Sequence, residues 1–74
     1  MRQFFLFEQY IIKNDGTWCL TKNYRLTEYD KRQQLADMKW KGYRYDRTEK
    51  AYIMSPDPVE SVYRYAVTVT RYTV

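Results

Sequence analysis

The sequence predicts a small α+β domain of ββαβββ order, a mainly antiparallel sheet with one helix packed on one face. Three stretches carry that prediction. Ser61 to Val74 sets Val62, Tyr63, Tyr65, Val67, Thr68, Val69, Thr70, Tyr72 and Val74 in a run free of Gly and Pro, and β-branched and aromatic residues favour strands. At about 3.3 Å per residue such a strand could span about 40 Å and pair with more than one neighbour. Its odd positions, Tyr63, Tyr65, Val67 and Val69, form a buried face, and Arg64, Ala66, Thr68, Thr70 and Tyr72 an amphipathic one. Residues 2–13 are apolar on both alternating sets, Phe4, Leu6, Tyr10 and Ile12 against Phe5, Phe7 and Ile11, the pattern of an inner strand covered on both faces. Between these two strands lies the only helix with signals at both ends.

In chain order, Asn14-Asp15-Gly16 ends the first strand with a turn whose Asp-Gly pair suits positive φ. The second strand starts at Thr17, with Trp18 and Leu20 to one side and Cys19 and Thr21 to the other, and its signal fades through Lys22, Asn23 and Tyr24. Thr27 is a good N-cap, Glu28 and Asp30 place negative charge on the first turn, and Gly42 supplies a left-handed stop, so a helix is expected from about Glu28 to about Lys41. At about 100° per residue, Asp30, Gln33, Gln34, Asp37 and Lys41 form a polar arc. Tyr29, Leu35, Ala36, Met38 and Trp40 lie across the remainder, diluted by Lys31, Arg32 and Lys39, whose aliphatic stems are expected along the rim of the core contact. Tyr43-Arg44-Tyr45 and Ala51 to Met54 read as a second hairpin around a polar turn. Ser55-Pro56-Asp57-Pro58 must be a loop, because proline has no N–H to give a central strand.

Seventy-four residues make one domain, residues 1–74, and a chain of this size buries only about 60% of the surface its unfolded form exposes. Cys19 is the only cysteine and there is no histidine, so neither a disulfide nor a structural zinc site can add stability. No cofactor is expected. The lone thiol points to a reducing cytoplasm, and the apolar run Phe4 to Phe7 is far too short for a signal segment or a membrane span.

Without histidine the usual nucleophile pairs cannot form, Ser55 and Ser61 read as turn residues beside the prolines, and two glycines make no phosphate-cradling loop. Asp30 and Asp37 belong to the helix's polar arc and read as solvated. An enzyme is therefore not expected, and a binding surface is. The net charge is +4, with seven basic and four acidic residues in 38–74 against six and five in 1–37, an asymmetry that favours an anionic partner. Nine tyrosines offer stiff contact area with a hydrogen-bonding tip.

The candidate ligand-binding residues are Tyr43, Arg44, Tyr45, Arg47, Tyr63, Arg64, Tyr65, Arg71 and Tyr72, because arginine beside tyrosine neutralises phosphate and stacks on bases. The expected ligand is a nucleic acid strand or a nucleotide. The rival expectation is a protein target, met by an inhibitor or adaptor through the same groups. Self-association is also expected, as a homodimer or larger: nothing staples the small chain, one helix leaves a sheet face uncovered, and the last strand outruns its neighbours. Thr68 to Val74 could pair with its own copy across a two-fold axis, or two sheet faces could stack through their tyrosines.

Overall fold

The structure, a computed structural model, describes residues 2–56 and 63–74. It is an α+β fold with strands β1 (Gln3–Ile12), β2 (Trp18–Leu26), β3 (Arg44–Asp46), β4 (Ala51–Met54) and β5 (Arg64–Thr73), and one helix, α1 (Glu28–Trp40), between β2 and β3. The five strands form one antiparallel sheet in the order β2-β1-β5-β4-β3. The parts of the expected last strand and proline loop that fall on residues 57–62 lie outside the described residues.

β1 is an inner strand, as its apolar pattern predicts, and pairs along its whole length with β5, from Gln3↔Thr73 to Ile12↔Arg64. Its odd residues Phe5 and Phe7 are buried beneath α1 with Met38 and Val67, and Tyr24, Leu26, Leu35, Tyr43, Tyr52 and Val69 pack against them. Of the even residues, Phe4, Leu6, Glu8 and Tyr10 are only half-buried, since among the described residues no helix lies over that face, while Ile12 at its end and the neighbouring Ala66 are buried. Side chains there cover one another instead: Phe4 stacks on Tyr72 (5.2 Å between centroids) under the Arg25 guanidinium (5.1 Å), and the Thr68 hydroxyl donates to Glu8 Oε1 (3.4 Å).

β2 runs on to Leu26, past the point where its local signal fades, because a one-residue bulge re-phases it. Gln9 pairs with Lys22 but Tyr10 with Leu20, and the bypassed Thr21 donates its hydroxyl to the Gln9 carbonyl (3.1 Å). A slip of one residue exchanges the faces of a strand. Trp18 and Leu20 therefore sit beside the even residues of β1, whereas Tyr24 and Leu26 turn under the helix, where Tyr24 stacks on Phe7 (5.6 Å).

The caps of α1 are those the sequence predicts. The Asp30 N–H donates to Thr27 Oγ1 (3.3 Å). At the other end the N–H groups of Gly42 (φ +97°) and Tyr43 donate to the carbonyls of Lys39 and Met38 (3.1 and 3.0 Å), the paired closure of a Schellman motif. The helix face differs from expectation. Met38 is buried and Lys31, Gln34 and Leu35 are half-buried, while Tyr29, Ala36 and Trp40 face solvent. The inward stripe thus follows the 31, 34, 35, 38 spacing of an amphipathic helix, and Lys31 can occupy it because its ammonium lies over the Phe5 ring at 4.1 Å. The helix makes its main contacts with β1 and β2 and reaches β5 through the Met38–Val67 core cluster, so the part of the same sheet face towards β4 and β3 is left open. Among the described residues no helix is long and apolar enough to cross a membrane.

Candidate functional site

The open part of this sheet face is a trough between α1 and the β3–β4 hairpin. It consists of two adjoining cavities that share Leu35, Tyr45 and Tyr52. The larger, about 670 Å³, adds Lys39, Gly42, Tyr43 and Arg44. The smaller, about 220 Å³, adds Phe5, Lys31, Lys50, Val69 and Arg71. Each wall follows from a local feature of the chain. The Schellman closure carries Tyr43 back against the core beside the helix C-terminus. Lys31, Leu35 and Lys39 recur at four-residue steps and so form a line along one side of α1. Tyr45 and Tyr52 are cross-strand partners on the floor, their rings edge to face with centroids 5.1 Å apart.

The far wall is set by the β3–β4 turn. Asp46 Oδ1 accepts the N–H groups of Thr48 (2.9 Å) and Glu49 (3.0 Å), which closes the turn tightly and leaves Lys50 in the left-handed region at φ +56°. L-residues with a Cβ disfavour that region by about 1–2 kcal/mol.

The electrostatics are one-sided. Four cations, Lys31, Lys39, Lys50 and Arg71, line the trough and no carboxylate does. Lys31 is held 3.5 Å from Glu28, but among the described residues Lys39, Lys50 and Arg71 have no ion-pair partner. Burial raises the Tyr43 pKa above its ordinary value, partly opposed by the nearby Lys41 ammonium, so the phenol stays neutral and available as a hydrogen-bond donor.

Of the nine residues singled out from the sequence, Tyr43, Tyr45 and Arg71 meet in this trough; Arg44 borders it, but its cross-strand partner Ile53 pairs with Ala66, so alternation turns the Arg44 side chain to the opposite face of the sheet. Strand alternation scatters the others. Arg64 and Tyr72 are even residues of β5, on the opposite sheet face with Phe4 and Ala66. Tyr65 is half-buried opposite Met54 on β4, Arg47 is exposed in the β3–β4 turn, and Tyr63 is exposed just before β5. Alternation likewise sets Arg64 and Tyr65 on opposite faces, so adjacency in the Tyr-Arg-Tyr repeats is not adjacency in space. The trough also uses Lys31, Leu35, Lys39, Lys50 and Tyr52, which sequence reasoning missed. The four-residue spacing of the first three was the available signal; for Lys50 there was none.

Comparison with family models, with curated proteins and with solved structures finds no match for this chain.

Proposed function

We propose that this chain is a non-catalytic binding protein that captures single-stranded nucleic acid in the trough beside α1. The observation that carries the reading is the placement of charge around the aromatic floor: Lys39 stands at one end, Lys31, Lys50 and Arg71 at the other, with Tyr43, Tyr45 and Tyr52 between. A strand has that periodicity, a flat base flanked on both sides by phosphates. Base stacking on aromatic rings is worth about 1–3 kcal/mol per base, and the cations add a sequence-independent attraction by displacing counterions from the strand. A duplex hides its bases and fits the floor poorly, and a mononucleotide reaches the cations at one end only.

Fluorescence titration with labelled single strands, duplexes and a nucleotide panel tests this at several salt concentrations. A strand that engages three or four of the cations gives a log–log salt slope of about −2 to −3, at about −0.7 per phosphate contact. Single strands should bind more tightly than duplexes or nucleotides. Absence of binding to any of them at low salt overturns the reading and leaves a protein target for the same surface.

A further inference from the structure

The solvent side of α1 carries a mainly apolar strip of its own, with one glutamine in it. Tyr29, Gln33, Ala36 and Trp40 follow one another at steps of four, three and four residues, the spacing of a seam that meets another helix. Tyr29 is 70% exposed and Trp40 91% exposed, although burial of aromatic side chains is among the largest apolar contributions a small fold can gain. The flanks of the strip are charged with opposite sign: Asp30 and Asp37 on one side, Arg32 and Lys39 on the other.

We propose that a second copy of this chain docks on this strip, with the two α1 helices side by side and parallel about a two-fold axis. The flanking charges select the occupant and its direction. In a parallel pair the acidic flank of each helix lies against the basic flank of the other, and Arg32 comes opposite Asp37 of the second copy, five residues further on, the spacing at which interhelical ion pairs form. An antiparallel pair would set acidic flank against acidic flank and basic against basic. Ala36 meets Ala36 at the centre and permits close approach, Gln33 can bond its own copy, and Trp40 packs on Trp40.

The existing contacts of these charges do not prevent the exchange. Arg32 lies 3.5 Å from Glu28 and Asp37 3.0 Å from Lys41, both on the exposed surface of one helix, where such pairs hold weakly. A helix of 13 residues is about 20 Å long and cannot bury the area of a permanent complex. The dimer is therefore a reversible one, formed at micromolar concentration or above. Because the axis runs along the helices, the two troughs fall on opposite sides of the pair and stay open.

Sedimentation equilibrium of the full chain without ligand, over a wide concentration range, tests this. The native chain should show a monomer–dimer equilibrium. Trp40→Ala, which removes a side chain outside the core, should weaken it about tenfold, the effect of one aromatic interface anchor. Arg32→Asp and Asp37→Arg should each be monomeric alone, and an equimolar mixture of the two should recover the dimer, since each then offers the other an opposite charge. A native chain that stays monomeric throughout overturns the proposal. So does a mixture that fails to recover, or a dimer indifferent to Trp40→Ala but abolished by Thr70→Pro, which would place the contact on the edge of β5.

Discussion

Replacing Lys50 with glycine should move stability and binding in opposite directions. Lys50 sits at φ +56°, a conformation that costs an L-residue about 1–2 kcal/mol and glycine almost nothing. Glycine also raises the entropy of the unfolded chain, by about 0.4–1 kcal/mol, so the net gain is about 0.5 kcal/mol, or roughly 2–4 °C in Tm for a domain of this size. The same change removes one of the three cations around the smaller cavity. Loss of one exposed charge pair should weaken single-strand binding about two- to fivefold and make the salt slope shallower by about 0.7. Lys50→Ala is the control: it loses the charge and keeps the strained backbone, so its affinity should match that of Lys50→Gly without the rise in Tm. Calorimetry and a salt-series titration of both variants decide the matter. A fall in Tm for the glycine variant refutes the strain argument, and unchanged affinity and slope refute the place of Lys50 in the site.

Arg71→Ala and Arg64→Ala, changes to two β5 arginines on opposite faces of the sheet, should differ by titration, the first weakening strand binding about two- to fivefold and the second leaving it unchanged. Phe7→Ala empties the centre of the core, where Phe7 is 0% exposed, and should cost about 3–5 kcal/mol, enough to unfold much of so small a domain in a urea titration at room temperature. Tyr43, whose pKa burial raises, ionises in the unfolded chain before it does in the folded one. Its contribution is therefore complete below about pH 10 and is lost as pH climbs from there through the folded value; alkaline denaturation followed by circular dichroism should be shallower for Tyr43→Phe than for the native chain.

Most of the fold is legible in the sequence because its signals are local. Thr27 and Gly42 mark the two ends of the helix by hydrogen-bond chemistry that needs no tertiary partner, and the alternation of Tyr65, Val67 and Val69 marks the helix-facing side of β5, whereas the apolar pattern of β1 does not choose between its faces. What was not legible depends on long-range pairing. The extra residue at Thr21 decides that Tyr24 and Leu26 face the helix, and only the register against Gln9 and Tyr10 reveals it. The inward face of α1 is ambiguous in composition, since Tyr29 and Trp40 look like core residues. The sheet accepts Lys31 in that stripe because the ring of Phe5 lies beneath its ammonium.

The candidate site was half legible for a related reason. Tyr43, Tyr45 and Arg71 could be named from residue type. The trough exists, however, because α1 sits mainly over β1 and β2 and leaves the β3–β4 side of the sheet open, which the sequence does not specify. The same alternation that made the strands recognisable carries Arg64 and Tyr72 away to the far face.

The most direct measurement is a map of backbone amide shifts on addition of a short single strand, roughly six nucleotides, within the usual site size of single-strand binding folds. Perturbations should gather at Lys31, Leu35, Lys39, residues 43–45, residues 50–52, Val69 and Arg71, and should diminish together as salt is raised. Perturbations centred on Phe4, Thr68 and Tyr72, on the opposite face of the sheet, or the absence of any at low salt, would contradict the assignment of the trough as the binding site.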